Sequence, residues 1–165
     1  MDAGPFVVVH GLRPMTAVDV PAVVAVQEPG AVRALADVFP QDEHPFPRED
    51  VAGRWLQELA DPAVASLVVE RGATVAGFVA VRGDELLHFG IAVEHWGSGL
   101  AGVVHDMVLD GMRDAGVARA RLRVFTGNGR ARRFYERRGW RPTGERTRST
   151  FPPRPELLGY ERDLQ

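Results

Sequence analysis

The loop Glu94-His95-Trp96-Gly97-Ser98-Gly99 joins an apolar run, Phe89–Val93, to an amphipathic stretch that begins at Leu100. A helix starting there presents unpaired N–H groups and the positive end of its dipole, which favours a bound anion. Gly97 and Gly99 carry no side chains, so the backbone can approach a diphosphate closely. No aspartate or glutamate stands between His95 and Val104 to oppose it. Other residues could move protons. The phenol of Tyr135 is protonated at neutral pH and can donate; the alternative is that it forms a buried aromatic pair with Phe134. Glu85 and His88 could each accept a proton, or could be a strand-start carboxylate and a packed histidine. Asn128, the only asparagine in the chain, could cap a helix or hydrogen-bond a ligand amide. His10, His44, His95 and His105 have no metal-ligand spacing, and no metal is expected.

Three readings of the glycine loop compete at this point: a plain strand-to-helix turn, a nicotinamide dinucleotide site and a coenzyme A pyrophosphate site. Gly97-Ser98-Gly99-Leu100-Ala101-Gly102 matches G-x-G-x-x-G. A dinucleotide fold, however, places its glycines directly after the strand and an acid about 20 residues on. Here Glu94-His95-Trp96 intervenes, and Val117 to Arg121 holds no acid.

Composition narrows the chemistry. The 165 residues fit a single domain, expected over residues 1–165, with hydrophobic content of 45% and charged content of 25%. A formal net charge of -2 argues against nucleic acid or an anionic membrane as partner. Neither a membrane span nor a signal peptide is expected, which makes the cytoplasm the predicted location. With no cysteine, acyl-cysteine intermediates and disulfides are excluded. With no lysine among the 20 basic residues, so are the phosphate-binding P-loop and Schiff-base chemistry.

The elements that must position these residues are readable from pattern. Phe6–His10 reads as a strand, and Asp19 followed by Val20-Pro21 as a helix start. Three prolines in residues 40–48 force a loop, followed by a helix with Val51, Trp55, Leu56 and Leu59 on one face. Residues 65–70 and 74–81 form a hairpin, and 85–93 a third strand. The helix from Leu100 to about Asp114 has Val103, Val104, Met107, Val108 and Met112 as its apolar stripe, with Asp106, Asp110 and Asp114 on a solvated face. A strand at 118–125, a short helix at 129–138 and two strands around 144–151 and 157–163 complete a mixed α/β sheet.

From Glu85 to Trp140 the chain resembles the GCN5-related N-acetyltransferase superfamily. The family's glycine loop, Gln/Arg-x-x-Gly-x-Gly/Ala, is met by Gly97-Ser98-Gly99-Leu100-Ala101, with Trp96 where glutamine or arginine is usual. A second signature, Asn-x-x-Ala-x-x-Phe-Tyr-Glu-x-x-Gly-aromatic, is met by Asn128, Ala131, Phe134, Tyr135, Glu136, Gly139 and Trp140. The resemblance implies an α/β (α+β) fold, in which a central mixed, mostly antiparallel sheet splays at its middle strands and is flanked by helices. It implies acetyl-CoA as acyl donor, held by Phe89, Ile91, Val93, Trp96, Gly97, Ser98, Gly99, Leu100, Ala101, Asn128, Ala131 and Tyr135. A main-chain N–H near Ile91 would polarise the acetyl carbonyl. Tyr135 takes the acid position, and Glu85, six residues before Ile91, a base position, with His88 its rival. Among Arg130, Arg132, Arg133, Arg137, Arg138 and Arg141, one or two are expected to meet the 3′-phosphate of CoA.

The activity expected is direct acetyl transfer to a primary amine, of a small molecule before a protein amino terminus. A non-catalytic CoA sensor and an NADP-dependent oxidoreductase are the other classes, and a homodimer is compatible with all of them. Acceptor choice is expected from residues 41–50, whose carboxylates would attract a cationic amine, and from residues 146–158.

Overall fold

The computed structural model describes residues 11–165, so the strand expected at Phe6–His10 lies outside the described residues. The chain runs β1 (Leu12–Pro14), a 3₁₀ turn (Ala17–Asp19), α1 (Val20–Ala34), α2 (Arg48–Ala60), β2 (Val64–Arg71), β3 (Thr74–Arg82) and β4 (Glu85–Ile91). A second 3₁₀ turn (Val93–His95) leads to α3 (Leu100–Asp114), then β5 (Arg119–Phe125), α4 (Gly129–Arg137), β6 (Arg141–Arg148) and β7 (Glu156–Asp163). The strands form one sheet in the order β1-β2-β3-β4-β5-β7-β6, in which only β4 and β5 are parallel. That single parallel pair excludes the doubly wound dinucleotide fold, whose sheet is mostly parallel.

Each face of the sheet carries its own core. Val104, Val108, Leu109 and Met112 of α3, with Tyr135 of α4, pack on one face against Val79, Ile91, Leu122 and Val124. On the other, Val23 and Val24 of α1 and Val51 and Trp55 of α2 pack against Val68, Phe78 and Ala80. The apolar stripes differ from expectation. Leu56 and Val103 are exposed, whereas Leu109 and His105 are buried with α3's inner face, His105 because its ring accepts a hydrogen bond (2.9 Å) from the Trp140 indole. Asp19 stands at the α1 start, but its carboxylate turns back to the Thr16 amide and to Arg13 instead of capping α1. The helix also continues through Pro29.

Two irregularities in β4 shape the site. The register shifts between Ala80–His88 and Val81–Leu86, leaving Leu87 as an extra residue in β4. A bulge of this kind strengthens local twist and ends pairing. Pairing with β5 does end there: it covers Glu85–Arg121 and Leu86–Leu122 and goes no further. Beyond Leu86 the two middle strands separate, as the resemblance implied.

Candidate active site

The opened edge of β4 has a defined polarity. Ala92 N–H donates to Ala76 O at 2.8 Å, which makes Ala76/Ala92 the hydrogen-bonded pair of the β3–β4 ladder. Antiparallel pairs alternate, so at Ile91 and Phe89 the N–H and C=O groups point away from β3 and into the gap. The Ile91 carbonyl is taken by the Trp96 indole N–H at 2.9 Å. Trp96, the departure from the usual glutamine or arginine, therefore fastens the loop to the end of β4. The Arg130 guanidinium stacks 3.8 Å from the centre of its ring.

At the mouth of α3, Gly99 is the N-cap residue with φ of 89°, a left-handed conformation that suits glycine. The Ser98 hydroxyl donates to His95 O and accepts from the Leu100 amide at 3.3 Å. The first helical bond is Val103 N–H to Gly99 O, so the amides of Gly97, Gly99, Ala101 and Gly102 have no acceptor among the described residues. The space over Gly97 and Gly99 is open. This is the arrangement a diphosphate needs: several aligned donors, a helix dipole and no side chain in the way. Arg138 lies over the Phe134 ring (4.0 Å) and against Gly102, where a Cβ would strike its guanidinium. Arg132 is instead committed to Tyr160 and Thr126, and Arg141 to Glu161 and Asp163.

A cleft of about 860 Å³ runs from this loop, through the gap between β4 and β5, to α2 on the far side. Of the expected donor contacts, Phe89, Ile91, Trp96, Gly97, Gly99, Ala101, Asn128, Ala131 and Tyr135 line it; Val93, Ser98 and Leu100 do not. Val93 stands in the 3₁₀ turn after β4, which ends two residues earlier than the pattern suggested. Asn128 caps α4, its side-chain oxygen accepting from the Ala131 amide at 3.1 Å, and it also lines the cleft. Its amide NH₂ is not used by the cap.

Tyr135 is buried in an aromatic cluster, 5.3 Å from Phe134 and 5.8 Å from Trp140 between ring centres, and still lines the cleft. Burial alone pushes its phenol above the ordinary tyrosine value, so it is protonated at neutral pH. The other tyrosine, Tyr160, spends its hydroxyl on Glu136 at 2.7 Å.

The two base candidates share one face of β4 because of the bulge. Leu86, Phe89 and Ile91 face α3 and α4, which leaves Glu85, Leu87 and His88 toward α1 and α2. Glu85 has the Arg123 guanidinium at 3.7 Å. His88 Nε2 meets Glu58 Oε1 at 2.9 Å, and its ring lies edge-on to Trp55 at 5.1 Å. Burial pulls the His88 pKa below the ordinary histidine value, and Arg54 adds to this; the bond to Glu58 opposes it. With the Nε2 proton directed at a carboxylate, Nδ1 carries the lone pair.

Glu58 and Arg54 carry no local signal in the sequence that points to a site. Both line the cleft. Conversely, none of the acidic residues 41–50 does so; Glu49 and Asp50 sit in the first turn of α2, where they complement its dipole. The β6–β7 connection does reach the cleft, through Arg148, Ser149, Thr150, Phe151 and Leu157. Among the described residues there is no cluster of three potential metal ligands, and no helix is long and apolar enough to cross a membrane.

Comparison with known proteins agrees with this geometry. No curated protein sequence matches the chain. Among solved structures, the PaiA N-acetyltransferase of Thermoplasma acidophilum in complex with coenzyme A is similar at a TM-score of 0.71 and 14% identity, over 92% of this chain and 97% of its own. A mutant of the Vibrio cholerae spermidine N-acetyltransferase is similar at 0.66 and 18% identity, over 93% of this chain and 94% of its own. The ribosomal-protein-S18-alanine N-acetyltransferase of Escherichia coli is similar at 0.69 and 16% identity, over 93% of each chain. The sequence model of the acetyltransferase (GNAT) family matches residues 31–140. The chain belongs to this family of acetyltransferases, with acetyl-CoA as acyl donor.

Proposed function

We propose that the chain acts as one domain that transfers the acetyl group of acetyl-CoA directly to the primary amine of a small molecule, in the cytoplasm. The observation that carries this reading is the opened β4 edge, with the Phe89 and Ile91 main chain facing the gap and the Tyr135 phenol lining the same cleft. The diphosphate rests on the amides of Gly97, Gly99, Ala101 and Gly102. The pantetheine arm pairs with Phe89 and Ile91, and the Ile91 N–H polarises the thioester carbonyl. A base on the Glu85–His88 face takes the ammonium proton, and the neutral amine attacks the carbonyl carbon. As the C–S bond breaks, Tyr135 donates its proton to the departing thiolate, and the proton shed by the new amide nitrogen restores the phenol. Glu85 holds the family's base position; the Glu58–His88 hydrogen bond favours His88 as a second reading, because it sets the tautomer.

Spermidine and an alanine of ribosomal protein S18 are both named as acceptors of similar structures, so likeness does not choose between a small molecule and a protein. Enclosure of the acceptor end by α2 and the β6–β7 connection supports a small molecule.

The test is Tyr135→Phe. Turnover should fall by about 10²-fold or more, the usual worth of a positioned acid, while acetyl-CoA affinity changes less than about twofold. Turnover equal to the parent's would remove Tyr135 from the acid role.

A further inference from the structure

The acceptor end of the cleft holds an unusual pair. Arg54 and Glu58 stand four residues apart on α2, so they share one face of the helix. Glu58 gives Oε1 to His88, but its Oε2 is sealed from solvent with no hydrogen-bond partner. The Nε of Arg54 is likewise sealed and unpartnered, and the guanidinium forms no ion pair among the described residues. The Phe151 ring lies 5.7 Å from the guanidinium carbon, and the Glu58 carboxylate acts on the cation through space without an ion pair. Burial pulls the Arg54 pKa below the ordinary arginine value, the sign of a cation held in a poorly solvated place.

The neighbouring arginines differ. Arg82 is paired with Asp61, Arg123 with Glu85, and Arg148 donates to the Arg154 carbonyl. An enclosed charge without a hydrogen-bonded partner is costly. A chain that keeps one lining a cleft is prepared for a ligand that supplies the missing partner. The same argument applies, with opposite sign, to the second oxygen of Glu58.

Resting on the transferase reading above, we infer that the acceptor is a small molecule carrying both an amine and a carboxylate. The carboxylate meets Arg54, and the amine lies at Glu58 and His88. An amino acid satisfies this chemistry. A polyamine does not, since it offers no anion to Arg54.

The experiment measures thiol release from acetyl-CoA with a panel of amino acids, each matched with its amide and its decarboxylated amine, plus spermidine. It uses the full chain and its Arg54→Met and Arg54→Lys variants. The acid forms should exceed their amides and decarboxylated amines in kcat/KM by about tenfold or more, the worth of one charge-assisted hydrogen bond. Arg54→Met should erase that preference mainly through acceptor KM, leaving acetyl-CoA KM within about twofold of the parent's. Arg54→Lys, which retains the charge, should keep the acid form ahead. A preference for spermidine or for decarboxylated amines overturns this inference but leaves the transferase reading intact. So does an acid preference that survives Arg54→Met, or one that disappears in Arg54→Lys. No thiol release with any acceptor, while acetyl-CoA still raises the melting temperature, overturns both.

Discussion

Asn128 performs one observed task and is proposed for a second, and substitution can separate them. Its side-chain oxygen caps α4 through the Ala131 amide at 3.1 Å. In the proposed complex its unused NH₂ donates to a pantetheine carbonyl. Serine is an equally good cap but presents no amide, whereas alanine does neither. Loss of the cap in Asn128→Ala should cost about 1 kcal/mol, since Asn-to-Ala changes at N-caps fall in the range of roughly 0.5–2 kcal/mol. For a chain of this size that is a melting-temperature drop of about 2–4 °C. Asn128→Ser should melt within about 1 °C of the parent, because serine ranks with asparagine as a cap. Loss of one neutral hydrogen bond, about 0.5–1.5 kcal/mol, should raise acetyl-CoA KM by roughly 2- to 12-fold in both variants. The assay pairs thermal melts with steady-state kinetics at saturating amine. If Asn128→Ser keeps the parent KM, Asn128 only caps and the pantetheine contact is refuted. If Asn128→Ala melts with the parent, the energetic argument for the cap is refuted instead.

Trp96→Phe keeps an aromatic ring under Arg130 but removes the donor to the Ile91 carbonyl. It should lower stability by about 0.5–1.5 kcal/mol, the net worth of one hydrogen bond, and raise acetyl-CoA KM; urea unfolding and kinetics check both. A second expectation concerns pH. Burial pulls the His105 pKa below the ordinary histidine value, and Nε2 must stay bare to accept the Trp140 indole proton. The folded pKa is the lower one, so stability is full above about pH 6.5, the unfolded value, and falls as pH drops toward the folded pKa. The slope is at most about 1.4 kcal/mol per pH unit for this group. His105→Gln, which retains an acceptor and cannot titrate, should flatten the fall in urea midpoints between pH 7.5 and 5.5; an unchanged slope would assign it to other groups.

How much of this was legible depended on whether the signal was local. The glycine loop and the run from Asn128 to Trp140 read cleanly because short fixed spacings set a strand-to-helix turn and one face of α4. The hairpin of β2 and β3, and α3 from Leu100, were visible by period alone. What remained hidden came from tertiary contacts. The extra residue at Leu87 leaves no mark in composition, yet it turns His88 onto the face of Glu85 and ends the β4–β5 pairing. Arg54 and Glu58 carry no local signal and become cleft residues only because α2 packs on this face of the sheet, bringing Glu58 to His88 of β4. The acidic run 41–50 suggested a cation-binding wall, but Glu49 and Asp50 are used by the start of α2. His105 stood apart from the apolar stripe until Trp140, 35 residues on, provided its partner.

A crystal structure of the chain with CoA bound tests the central claim most directly. The account predicts the diphosphate on the amides of Gly97, Gly99, Ala101 and Gly102, and pantetheine between β4 and β5 against Phe89 and Ile91. It places the sulfur within hydrogen-bond reach of the Tyr135 hydroxyl, roughly 3–4 Å. A coenzyme seated away from the α3 N-terminus, or a sulfur beyond reach of that phenol, would contradict it.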